Sequence, residues 1–218
     1  MHVPFVNIGL QYKSIRKEII SKFDEISIKG DFILGEELKK FEKEFAKYCG
    51  TKYALGLGSG SDGLTFSLKF YNIGPGDEVI LPANSFVASA WTIVNVGATP
   101  IFVDVLNNFN IDPTKIEKVI TKRTKAIMPV HLTGRVADMK KISSIARKYR
   151  LKIIEDSAQA VGATYYNKKA GSFGNIASFS LHPLKNLHVH GDGGIITTNS
   201  KKAYNFIKKY RNHGLKDR

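Results

Sequence analysis

An α/β fold with a mostly parallel sheet is predicted by three features of this sequence. Short β-rich runs alternate with amphipathic helical stretches almost throughout the 218 residues. Several runs are near-continuously apolar, as in Ala126-Ile127-Met128-Pro129-Val130, the pattern of strands covered on both faces by crossover helices. No internal repeat, low-complexity stretch or obvious linker interrupts the alternation, so the chain reads as one domain.

The predicted strands are residues 53–57, 78–82, 101–105, 126–130, 151–156, 176–181 and 194–198. Helical spacing fills the gaps. Residues 36–49 put Leu38, Phe41, Phe45 and Tyr48 on one face, and residues 137–149 do the same with Met139, Ile142, Ile145 and Tyr149. A last helix over 204–211 carries Phe206, Ile207 and Tyr210. Gly74-Pro75-Gly76-Asp77 marks a turn just before the second strand.

Composition narrows the function classes. Cys49 is the only cysteine, which excludes an intrachain disulfide and a thiolate metal cluster, and no metal site is expected. No apolar run is long enough to span a bilayer. Residues 1–10 lack a basic region followed by an apolar one, so they do not read as a signal peptide. A cytoplasmic location with no membrane partner is the expectation. The net charge of +14 suits nucleic acid, a membrane surface or an anionic ligand. Its lysines are spread over helix faces (Lys39, Lys40, Lys43, Lys47; Lys140, Lys141, Arg147, Lys148), and no stretch interleaves basic with aromatic residues. No nucleic-acid partner is therefore expected. Solvated helix faces account for the surplus, with an anionic substrate or an acidic remainder of the protein as further contributors.

Three segments can carry chemistry. Ser178-Phe179-Ser180-Leu181-His182-Pro183-Leu184-Lys185-Asn186 ends a strand and places a lysine in the turn after it. An amine there reaches the carboxyl edge of the sheet, where open α/β sheets bind ligands. Desolvation would lower its pKa and suit it to imine formation or proton transfer; an ordinary surface lysine is the simpler alternative. Glu155-Asp156-Ser157-Ala158-Gln159-Ala160 puts a carboxylate at the end of an apolar strand. Asp156 there suits either a protonated heterocyclic nitrogen or the N-cap of a following helix. Gly56-Leu57-Gly58-Ser59-Gly60-Ser61-Asp62-Gly63-Leu64 joins a strand to a helix. Its glycines and helix-start amides favour a phosphate, although it matches neither a P-loop nor a dinucleotide fingerprint.

Together with Pro82-Ala83-Asn84-Ser85-Phe86-Val87-Ala88-Ser89, Pro129-Val130-His131-Leu132-Thr133-Gly134 and Arg211-Asn212-His213-Gly214-Leu215, these segments resemble the DegT/DnrJ/StrS-type sugar-nucleotide aminotransferases, pyridoxal 5'-phosphate (PLP) enzymes of fold type I. The resemblance runs from about Phe5 to the last residue. It implies a three-layer α/β/α large domain over 1–218 with about seven strands, divided into a helical arm at about 1–50 and an α/β core at about 51–218. It further implies that Lys185 carries the cofactor as an imine and moves the proton. Asp156 would pair with the pyridinium nitrogen, Gln159 would lie near the ring hydroxyl, and Phe86 would stack on the ring unless it is a core aromatic. Ser180 and the amides of Gly60 and Ser61 would hold the phosphate. His131, His182 and Asn186 match supporting positions.

Relatives that dehydrate a sugar carry histidine at the cofactor-bearing position, so Lys185 favours transamination over dehydration. The implied substrates are an amino-acid donor, glutamate by expectation, and a nucleotide-linked keto-deoxysugar, in a protein that is a homodimer at full length. Family members are longer than this chain, and by the resemblance the smaller C-terminal domain is expected to lie outside these 218 residues. A truncated homologue with a regulatory or scaffolding role is the competing expectation, and an anion- or nucleic-acid-binding module using the basic surface is a third.

Overall fold

The computed structural model describes residues 3–215, in two compact units divided between Phe41 and Glu42. In the first unit, α1 (Ile8–Lys29) starts where the Asn7 side chain accepts the Leu10 amide at 3.1 Å and stops at Gly30 in the left-handed region. Glu25 sits one turn from both Lys22 and Lys29, and their hydrogen bonds hold its carboxyl down at about 2. None of α1's residues is buried. The helix α2 (Glu36–Cys49) leads out of this unit.

The second unit is built on β1 (Tyr53–Leu57), α3 (Gly60–Phe70), β2 (Glu78–Pro82), α4 (Val87–Asn95), β3 (Thr99–Val103), α5 (Pro113–Ile116), β4 (Thr124–Ile127), α6 (Met139–Tyr149), β5 (Lys152–Asp156), β6 (Thr164–Tyr165), β7 (Lys168–Lys169), β8 (Ile176–Ser180), β9 (Gly194–Thr198) and α7 (Lys201–Tyr210). Seven strands form one sheet in the order β1-β9-β8-β5-β4-β2-β3. The pairs β2/β3, β2/β4, β4/β5 and β5/β8 are parallel, and β9 runs antiparallel to both its neighbours. The mostly parallel α/β prediction holds.

Side-chain alternation along the strands produces the three layers. Val79, Leu81, Ala126, Met128 and Ile154 pack with Leu64 and Leu68 of α3 and Ile93 of α4. Their neighbours Ile80, Ile127 and Ile153 face the other way, onto Met139, Ile142 and Ile145 of α6. Every residue of β2 is buried, as expected of a strand with helices on both faces.

Sequence and structure differ at element ends. β4 stops at Ile127, because Pro129 has no amide to continue the ladder, and Val130 keeps only a bridge to Asp156. β3 begins at Thr99, opposite Glu78, two residues before the predicted start. The helix at 137–149 starts at Met139 on an Asp138 cap, and the last helix starts at Lys201 on a Ser200 cap. The β6–β7 hairpin was not predicted. Its strands are too short for a period-2 signal, and its turn uses Tyr166 and Asn167 at φ 46° and 60°, where Asn-Gly is the usual cue.

The lysine-rich helix faces are exposed, with Lys39–Glu36, Lys40–Glu37, Lys141–Asp138 and Lys148–Glu117 pairs along them. Among the described residues no helix is long and apolar enough to cross a membrane. No group of His, Cys, Asp or Glu among them suits a metal ion. Cys49 is buried, and burial pushes its thiol up to about 12, so it is no nucleophile.

Candidate active site

Parallel strands end together, so whatever follows β1, β2, β5 and β8 gathers at one edge of the sheet. The antiparallel β9 starts at that same edge. A cavity of about 420 Å³ opens there, lined among others by Gly60, Ser61, Phe86, Asp156, Gln159, Ser180, His182 and Lys185. Eight of the residues singled out in the sequence therefore share one cavity, although up to 125 positions separate them, from Gly60 to Lys185.

The glycine segment is wedged against the sheet. Ser59 caps α3, accepting the Asp62 amide at 3.1 Å. The amides of Gly60 and Ser61 belong to the first turn, which has no acceptors within its own helix. The close approach explains two glycines. A Cβ on Gly60 would come within 3.1 Å of the Ser180 backbone, and one on Gly194 within 2.2 Å of the Ser59 carbonyl carbon. Ser178 donates to the Gly60 carbonyl at 2.7 Å, locking the loop onto β8. Ser180 Oγ accepts the His182 amide at 3.3 Å, which leaves its proton available for an anion at the same spot.

Behind this loop, Glu42 and Arg211 clamp the edge strand β1. Glu42 accepts the Gly56 amide at 2.8 Å, and Arg211 donates to the Gly56 carbonyl at 2.9 Å and to Glu42 itself. Both polar backbone groups of Gly56 are thereby satisfied.

Lys185 sits in a turn closed by its own amide bonding the His182 carbonyl at 2.9 Å. Its amine is half-buried, and among the described residues it has no hydrogen-bond or ion-pair partner. Burial pulls the amine below the ordinary lysine value, while the negative charge of Asp156 acts in the opposite direction. Asn186 does not line the cavity. Its amide nitrogen donates to the Val161 carbonyl at 2.8 Å and ties the lysine turn to the segment after β5. His182 lines the cavity with Nδ1 accepting the Leu184 amide at 3.2 Å.

Asp156 is buried, and no helix follows it; its Oδ1 accepts the Ala158 amide at 3.1 Å in a local turn. Oδ2 accepts the hydroxyl proton of Ser89 at 2.6 Å. Phe86 is 72% exposed, which excludes the core-aromatic alternative. It is the N-cap residue of α4, with its ring on the cavity wall.

His131 lies outside the cavity. It is fully buried, its Nδ1 accepts the Ala137 amide, and its Nε2 faces Glu155 at 3.2 Å. Glu155 also accepts the amides of Gly171 and Phe173 at 2.9 and 2.8 Å, and that of Gly174. These two residues hold the loop after the hairpin.

Ser85, Ser89, Ser178, Asp192 and Gly193 received no role from the sequence. Ser85, Ser178, Asp192 and Gly193 line the cavity, and Ser89 bonds Asp156. The available signal was the four-residue spacing of Ser85 and Ser89 at a helix start.

Comparison with known proteins decides the family. The model of the DegT/DnrJ/EryC1/StrS aminotransferase family matches residues 13–218. The chain belongs to this family. It is 48% identical to a dTDP-3-amino-3,6-dideoxy-alpha-D-galactopyranose transaminase of Aneurinibacillus thermoaerophilus, over 97% of this chain and 59% of that protein. It is 44% identical to a pleiotropic regulatory protein of Geobacillus stearothermophilus, over 99% of this chain and 58% of the relative. Among solved structures, DesV of S. venezuelae in complex with a ketimine intermediate superposes with a TM-score of 0.96 at 40% identity, covering 99% of this chain and 58% of DesV. NtdA of Bacillus subtilis with bound cofactor PMP gives 0.91 at 37% identity, covering 95% and 47%. The chain thus spans about half the length of the family relatives it matches.

Proposed function

We propose that this chain is the cofactor-binding portion of a PLP-dependent aminotransferase that moves an amino group from an amino acid, glutamate by expectation, to a nucleotide-linked keto-deoxysugar. The observation that carries the reading is the half-buried Lys185 amine, without a hydrogen-bond or ion-pair partner among the described residues, in one cavity with the Asp156 carboxylate and the start of α3. The residues present fit the cofactor: free first-turn amides at Gly60 and Ser61 beside the Ser180 hydroxyl, a carboxylate, an exposed aromatic side chain and an amine.

Bound PLP would supply an electron sink for the carbanion formed when the proton leaves the substrate carbon. This chain's residues do the rest. Gly60, Ser61 and Ser180 hold the phosphate by N–H and O–H donation. Asp156 would hold the proton on the ring nitrogen, Gln159 would lie near the ring hydroxyl, and Phe86 would stack on the ring. The Lys185 amine, which burial makes easier to deprotonate, would serve as the acid/base that takes up and returns the proton of the substrate carbon. Lysine at this position favours this over sugar dehydration. The proposal extends to a homodimeric full-length protein in the cytoplasm, with a helical arm over about 1–50 and an α/β core over about 51–218.

The test is a half-reaction. PLP should give the chain an absorbance band near the visible edge, and glutamate should bleach that band as 2-oxoglutarate appears. A regulatory or scaffolding role is the second reading, favoured by the name of the Geobacillus stearothermophilus relative. It predicts no 2-oxoglutarate even when a keto-sugar nucleotide is added.

A further inference from the structure

The hydrogen bonds of Asp156 have a direction. Ser89 is 1% exposed, so no solvent competes for its hydroxyl. A serine has one proton to give, and Ser89 gives it to Asp156 Oδ2 at 2.6 Å. The contact at 2.7 Å between the Ser85 and Ser89 hydroxyls must then run from Ser85 to Ser89. The resulting chain, Ser85 to Ser89 to Asp156, begins at the cavity wall, which Ser85 lines, and returns to it at Asp156. With the Ala158 amide on Oδ1 at 3.1 Å, both carboxylate oxygens are fixed in place. Each still has a lone pair to offer the cavity.

The same turn of chain carries Phe86. The Ser89 amide donates to the Phe86 carbonyl at 3.1 Å, closing the first turn of α4. The aromatic wall and the carboxylate's restraint are therefore set by one element.

We infer that Ser89, backed by Ser85, is a positioning residue that holds the Asp156 carboxylate toward the nitrogen of the bound ring, with the start of α4 fixing that carboxylate and Phe86 together. This rests on the PLP reading of the cavity. Ser89 touches no reacting atom; it acts through Asp156. A carboxylate freed from it would turn away and meet the ring nitrogen less often, so affinity for the ring would fall.

The experiment titrates wild type, Ser89→Ala, Ser89→Thr and Ser85→Ala with PLP and with its carbocyclic analogue, which lacks the ring nitrogen. Affinity is read from the fluorescence or absorbance of the bound ligand, and ring orientation from the circular dichroism of the cofactor band. Ser89→Ala is expected to weaken PLP about tenfold, reduce the dichroism and leave the analogue unchanged. Ser89→Thr should restore PLP affinity, and Ser85→Ala should fall between wild type and Ser89→Ala. Ser89→Cys, close in shape and a weak donor, carries the test if the alanine variant does not fold. Equal loss for PLP and analogue would overturn the inference, since a merely structural serine does that. So would PLP binding by Ser89→Ala as tight as wild type. A wild type that binds neither ligand overturns the cofactor reading and this inference with it.

Discussion

Glu155 and Asp156 are neighbours on one strand and could hardly differ more in their surroundings. Strand alternation sends Glu155 to the α6 side of the sheet, with Ile153, and Asp156 to the α4 side, with Ile154. Glu155 is sealed at 0% exposure by His131 and three backbone amides. Asp156 has one hydroxyl and one amide, and the rest of it opens onto the cavity. The difference separates a carboxylate that is used up by the fold from one that is held ready for a ligand. Adjacent position in a motif says nothing about which is which; the count of committed lone pairs does.

The comparison breaks most easily at Glu155. Glu155→Ala should cost roughly 3–5 kcal/mol, because it strands buried donors and His131 at once. Urea unfolding of the cofactor-free chain measures it, and a cost under about 1 kcal/mol would erase the distinction. Asp156→Asn should leave cofactor-free stability within about 1 kcal/mol yet weaken PLP binding by roughly 10–100-fold, the value of a hydrogen bond to a charged group. Titration against unfolding data separates the two effects.

The smallest effect concerns Lys185, whose pH dependence follows from its lowered pKa. In the window below the ordinary lysine value the unfolded chain binds more protons than the folded one, so stability rises with pH there. Lys185→Met removes that penalty. The cofactor-free variant should melt at or slightly above wild type at neutral pH, with the gap closing as pH passes about 10.4.

Much of the fold was legible because it is local. The apolar run of β2 and the i, i+3, i+4 pattern of α6 need no distant partner to be read. The candidate cavity was legible only as separate segments, and the resemblance joined them. What stayed hidden depends on long-range register. Ser89 meets Asp156 across 67 positions, and that meeting depends on how α4 lies on β5. His131 entered only through the resemblance, as a supporting position, and its ring is buried against Glu155, outside the cavity. Phe86 could not be assigned to core or cavity from its type; its exposure was needed.

The most direct test of the account is where PLP attaches. The chain is loaded with PLP, reduced with borohydride, digested and mapped by mass spectrometry. The account predicts one pyridoxyl group, on the peptide that contains Lys185, and no stable adduct in Lys185→Ala. Attachment spread over other lysines, or an equally stable imine in Lys185→Ala, would contradict it.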